Sequence, residues 1–233
     1  MSYILSLDTS TRGCSVAIHQ DDKLLMVSEL FHEKSSSEML TTLIANVVKS
    51  VKLTFEDIDA VAVAKGPGSY TGLRIGVSTA KGLCYTLEKP LIAINTLEAM
   101  AMQIKDLGIT EGLLCPMLDA RRMEVYCALY DTKTGQEFSP TEAKVIDNES
   151  FINVLATNSV LFFGDGAEKC KSILGTNTNA KFTEKEIYPS ARTIGVLAYK
   201  KFVAQEFEDV SDFEPFYLKE FFATTPKKLI ATA

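Results

Sequence analysis

Residues 66–76 read Gly66-Pro67-Gly68-Ser69-Tyr70-Thr71-Gly72-Leu73-Arg74-Ile75-Gly76, between the apolar run Ala60 to Ala64 and a segment of helical composition that continues to Leu87. This order predicts a buried strand, a tight turn and a helix start. Gly66 and Gly68 reach dihedrals closed to other residues, Pro67 fixes its own, and Ser69 or Thr71 can cap the first free amides of the helix. Such a turn offers amides at the positive end of a helix, which suits an anion; it is equally the build of a compact turn with no ligand. Counting excludes the common phosphate loops. A Walker A loop from Gly66 or Gly68 needs glycine where Thr71 and Leu73 stand, and no Lys-Ser or Lys-Thr pair follows. The dinucleotide fingerprint fails on glycine spacing, and Ser69 lacks the flanking glycines of a nucleophile elbow. Within the helix, Gly72, Gly76 and Ala80 recur every four residues, a smooth ridge that lets another helix approach closely.

The 233 residues are 46% apolar, enough for one substantial core or two closely joined lobes. A formal charge of -6, with acids spread widely, predicts a surface that repels free nucleic acid. Cys14, Cys84, Cys115, Cys127 and Cys170 lie far apart with no Cys-x-x-Cys pair, a pattern of reduced, buried thiols in a cytoplasmic protein. The first apolar run, Tyr3 to Leu7, is too short for a signal peptide, and none approaches a membrane span.

Taken in order, strands are predicted at Tyr3 to Leu7, Cys14 to His19 and Leu24 to Leu30, followed by an amphipathic helix from Ser36 to Val51. The strand Ala60 to Ala64 and the central helix come next, then a strand Leu91 to Ile94 and a helix Thr96 to Lys105. At Leu113 the pattern restarts. Strands at Leu113 to Leu118, Glu124 to Tyr130 and near Ala143 to Ile146 precede a helix Glu149 to Thr157, a strand Val160 to Phe163, the turn Gly164-Asp165-Gly166 and a helix to Leu174. A long helix, about Ser190 to Glu206, closes the second unit. Each unit begins with a strand ending in aspartate, Asp8 and Asp119, and duplication is the economical explanation. The fold class expected is α/β, a duplicated ribonuclease-H-like unit of the actin-like ATPase type. Its first lobe is 1–109, its second 110–223, and 224–233 is a loose tail. A nucleotide in that architecture lies between the lobes, so Asp8, Thr9, Ser10, Gly164, Asp165 and Gly166 mark where a vestigial nucleotide site would be.

Four stretches, Ile4 to Thr11, Gly66 to Gly76, Asp119-Ala120-Arg121-Arg122-Met123-Glu124-Val125-Tyr126 and Glu214-Pro215-Phe216-Tyr217-Leu218, resemble the TsaB (YeaZ) family over nearly the whole chain. The resemblance implies a non-catalytic subunit in making threonylcarbamoyladenosine at position 37 of tRNA. Such a subunit pairs with a TsaD-like transferase, is joined by a TsaE-like ATPase, meets tRNA only through the complex and forms a homodimer when alone. TsaD-like proteins carry a His-x-x-x-His metal pair on the helix after the fifth strand. Here that helix begins Thr96-Leu97-Glu98-Ala99-Met100, and the only histidines are His19 and His32, so no metal, cofactor or catalytic residue is expected. The glycoprotease label attached to this superfamily finds no zinc motif or triad in the chain.

Other residues carry two readings. Asp8 is either the magnesium-side carboxylate of an actin-like kinase or a cap of its own turn. Arg121 and Arg122 either grip an anion or divide into one inward ion pair and one exposed side chain. A small-molecule kinase of the same fold is the enzyme alternative. The partner surface is expected on two helices, through Met39, Leu43 and Val47 on the first and Gly72, Leu73, Gly76, Val77, Ala80 and Leu83 on the second, with the small ridge facing outward.

Overall fold

The computed structural model describes residues 1–32, 35–105 and 111–219. They form two five-stranded sheets, ordered β3-β2-β1-β4-β5 and β10-β9-β6-β7-β8. In the first, β1 (Tyr3–Asp8), β2 (Cys14–Gln20) and β3 (Lys23–Leu30) make an antiparallel meander, and β4 (Ala60–Gly66) and β5 (Leu91–Asn95) add parallel to β1. In the second, β6 (Leu113–Asp119), β7 (Glu124–Asp131) and β8 (Glu137–Val145) repeat the meander, and β9 (Val160–Phe163) and β10 (Ala180–Phe182) repeat the parallel pair. The duplication is therefore present strand for strand, and the fold is the two-lobed actin-like α/β arrangement.

Strands β1, β4 and β5 are nearly continuous apolar runs because helices cover both faces of their sheet. On one face α1 (Ser35–Ser50) and α2 (Tyr70–Leu87) bury Leu40, Ile44, Val47, Val77, Ala80 and Cys84 against Leu5, Leu7, Val61 and Val63. On the other face Ile194, Leu197 and Ala198 of α6 (Ala191–Val203) and Ala99 of α3 (Thr96–Lys105) meet Ile4, Ala60, Ala62 and Ile92. Helix α3 turns its opposite side, Leu97, Met100 and Ile104, onto Leu114, Leu118 and Phe163 of the second sheet. It is thus the wedge between the lobes. The outer face of the second sheet is closed by α4 (Ile152–Leu155) and α5 (Ala167–Leu174).

The sequence places α6 in the second lobe, and the structure packs it on the first lobe's sheet. The reason is the exposed apolar face of β1, β4 and β5, which α3 alone does not cover. The expected boundary near residue 109 and the tail 224–233 lie outside the described residues.

Candidate functional site

The end of β1 and the start of α2 are built against each other. Thr9 Oγ1 donates to the Gly72 carbonyl at 2.7 Å, and the Ser69 amide donates to the Ser10 carbonyl at 2.6 Å. A Cβ at Gly68 would lie 2.3 Å from Ser10 O, and one at Gly72 would lie 2.0 Å from Thr9 O. These glycines make room for the 8–12 turn. Ser69 is the N-cap of α2, accepting from the Gly72 amide at 3.2 Å. The amides of Ser69 and Gly72, which the sequence offered to an anion, are thus taken up inside the protein.

Asp8 turns inward. Its Oδ1 accepts from the Ser10 amide at 2.9 Å and the Ser10 hydroxyl at 2.8 Å, while Oδ2 has no partner among the described residues. Burial pushes its carboxyl up to about 6, against the pull of the two Ser10 hydrogen bonds. Asp119, its counterpart on β6, is half exposed and differently placed. Partial burial works to raise its carboxyl, but the ion pair with Lys169 and the Arg121 amide outweigh this and hold it below the usual carboxylate range. Lys169 also donates to the carbonyls of Arg122 and Glu124 at 2.7 and 2.6 Å. It thereby fixes a hairpin in which Arg121 and Arg122 both sit at positive φ, 69° and 50°. Consecutive non-glycine residues in that region are uncommon and are held there by their surroundings.

Between the lobes lies an open cleft of about 500 Å³ lined by Ser10, Arg12, Arg121, Tyr126, Asp165 and Tyr217, among others. Of the six residues expected at a vestigial nucleotide site, Ser10 and Asp165 line it. Asp8 and Thr9 are buried behind it, and Gly164 and Gly166 form the backing turn, pressed on Met117 and Leu118. Asp165 accepts from the Asp119 amide at 2.9 Å; burial raises its carboxyl first of all, and the Asp119 charge adds to that. Asp8 is buried and does not itself line the cleft.

The partner surface needs a correction. Val47, Gly72, Leu73, Gly76, Val77 and Ala80 are all buried within lobe 1. The small ridge faces inward because the turn after β1 lies against it, with Thr9 Oγ1 only 2.2 Å from where a Gly76 Cβ would stand. On α1 and α2 Met39, Gly82 and Tyr85 are exposed, the last to 83%, while Leu43, Ile75 and Leu83 are half-buried against the lobe 1 core. Nothing lies within 4 Å of a Cβ at Gly82.

The two histidines differ in their surroundings. His19 is fully buried, its Nε2 donating to the Arg192 carbonyl at 2.9 Å and its ring pressed against Gly195, and burial holds its pKa below the usual value. His32 is exposed just beyond β3. Among the described residues no group of three His, Cys, Asp or Glu side chains is placed to hold a metal. Thr96 and Met100 are buried in the wedge helix.

Residues 31–227 match the family model described as "TsaD: tRNA N6-adenosine threonylcarbamoyltransferase". A Buchnera aphidicola protein named "tRNA threonylcarbamoyladenosine biosynthesis protein TsaB" is 30% identical over 197 residues, covering 82% of this chain and 90% of that one. The chain belongs to the TsaB family. The Bacillus subtilis TsaB is 35% identical over 132 residues, and there the alignment spans 57% of this chain and 56% of the relative. The solved structure of YeaZ from Pseudomonas aeruginosa superposes with a TM-score of 0.78 at 24% identity, covering 94% of this chain and all of that one. That likeness establishes the fold. Within the TsaB family frame, Lys169 and the inward ridge are features the sequence alone did not disclose.

Proposed function

We propose that this chain is a non-catalytic subunit required for threonylcarbamoylation of adenine 37 in tRNA, pairing with a TsaD-like transferase through the outward face of α1 and α2. The observation that carries this reading is the 30% identity, over 90% of its length, to a relative named for threonylcarbamoyladenosine biosynthesis. Three features support the non-catalytic part. Helix α3 bears Thr96 and Met100 where a TsaD-like protein has its histidine pair, His19 is shut between β2 and α6, and Asp8 caps its own turn. The outward face of α1 and α2 leaves Met39 and Tyr85 exposed beside Gly82, a shape suited to a close helix contact. A second copy of this chain would use the same face when the transferase is absent, so the two assemblies compete. A TsaE-like ATPase joins the complex, and the net charge of -6 leaves tRNA capture to these partners in the cytoplasm.

The test is reconstitution with a TsaD-like transferase, a TsaE-like ATPase, the threonylcarbamoyl adenylate and unmodified tRNA, read by mass spectrometry of the nucleosides. Modification is expected in the full mixture, and neither with this chain alone nor with this chain left out. Modification by this chain alone, or undiminished modification without it, would overturn the proposal.

A further inference from the structure

The closing motif Glu214-Pro215-Phe216-Tyr217-Leu218 plays no part in the pairing face, yet it is built into the fold. After α6 the chain runs back along lobe 1. The Glu208 amide donates to Leu91 O at 2.9 Å, Lys81 Nζ on α2 donates to the carbonyls of Ser211 and Phe213 at 3.0 Å each, and Phe213 packs on the lobe 1 core. The Phe216 amide then donates to Lys65 O at 2.8 Å, at the end of β4. Gly66 admits this approach: its φ is 112°, and a Cβ there would lie 2.9 Å from Phe216 O. Tyr217 packs its ring 5.0 Å from that of Tyr70, at the start of α2. Two residues later the chain is in contact with the other lobe. Lys219 pairs with Glu124 on β7, and its Nζ stands 5.9 Å from the centre of the Tyr126 ring.

We infer that residues 211–219 form a strap, anchored along lobe 1 and latched to lobe 2 by Lys219, that sets how far the cleft opens. The two ends differ in strength. The anchor combines backbone hydrogen bonds, a double lysine contact and a half-buried phenylalanine, whereas the latch is a partly exposed ion pair, a weak class of contact. Opening therefore starts at the latch, with the anchored part staying on lobe 1. Tyr217 and Leu218 line the cleft that the strap crosses. This inference is independent of the pairing face.

Interlobe distance is the direct readout. The native cysteines among the described residues are buried, so spin labels attach to cysteines introduced at exposed Lys23 in lobe 1 and Lys133 in lobe 2. Excess unlabelled protein suppresses signals between copies. The parent should give one narrow distance distribution by pulsed electron resonance. Lys219→Glu and Tyr217→Ala should each lose that single narrow distance, and Glu124→Lys combined with Lys219→Glu should restore it. An unchanged distribution in both single variants overturns the strap, and so does a charge swap that fails to restore the narrow distance.

Discussion

Thr9 and Gly76 share one space: the Thr9 hydroxyl, bonded to the Gly72 carbonyl at 2.7 Å, fills the position a Gly76 side chain would need. The small residues of α2 are thus the negative of the turn that ends β1. The same relationship explains why the ridge is unavailable to a partner.

Gly76→Ala should destabilise the chain by about 1–3 kcal/mol, because its Cβ meets Thr9 Oγ1 at 2.2 Å and moving that hydroxyl away breaks its hydrogen bond to the Gly72 carbonyl. Thr9→Ala removes the obstructing hydroxyl, so the double variant should lose less than the sum of the singles. Urea denaturation of the four proteins measures the coupling. A Gly76→Ala protein as stable as the parent would show that the helix and turn are not packed in this way.

Gly82→Arg separates folding from pairing. A Cβ at Gly82 meets nothing within 4 Å, and replacing a mid-helix glycine should add about 0.5–1 kcal/mol of stability. On the proposed pairing face, the arginine should weaken association with the TsaD-like partner and with a second copy by about tenfold or more, a cost of roughly 1.4 kcal/mol. Melting temperature and sedimentation equilibrium read the two effects. A more stable protein that pairs normally would move the interface elsewhere.

The Asp8 carboxyl predicts an unusual pH trend. The native state keeps its proton up to about pH 6, whereas the ordinary carboxyl releases it near 3.8. Between those values the folded state binds more protons, so the Asp8 contribution to stability falls as pH rises and is level above the upper one. Asp8→Asn keeps an oxygen for Ser10 and removes the charge. Its stability relative to the parent should improve from pH 4.5 to 7.5 by on the order of 1–2 kcal/mol. Denaturation curves at the two pH values decide it, and a pH-independent difference would place the Asp8 carboxyl in the normal range.

Gly195→Ala should be among the most damaging single substitutions in α6, because a Cβ there lies 2.0 Å from His19 Nδ1. A loss of about 3 kcal/mol or more is expected, since the ring is fully buried between β2 and α6. Calorimetry of the purified variant tests this, and a melting temperature equal to the parent's would contradict the packing.

Much of the architecture was legible because the sequence obeys one pattern at a time. Helix α3 spans Thr96–Lys105, as its periodicity predicts, and β9 matches Val160 to Phe163. The misses have local causes. Strand β8 begins at Glu137, not near Ala143, because its first half is polar and contains Pro140, which an edge strand tolerates. The helix expected from Glu149 shrinks to Ile152–Leu155, since Ser150 and Asp147 bond each other in a turn and Phe151 sits at a φ of 62°. Strand β10 is too short to show a period. At the candidate site, the spacing of Gly72, Gly76 and Ala80 gives a ridge but not the side it faces. That is decided by Thr9, more than sixty positions away, and Lys169 likewise reaches Asp119 across fifty.

Because α6 returns to the first sheet, residues 113–182 form, in sequence, an insertion inside lobe 1. A ribosome making this chain releases lobe 2 with its own sheet and outer helices complete, while the side of lobe 1 bearing Ile4, Ala60 and Ile92 still lacks Ile194 and Leu197. Domains ordinarily mature in the order of synthesis. This one starts its first half early and finishes it last, so the nascent chain carries an incompletely covered apolar sheet face from the synthesis of β5 until that of α6.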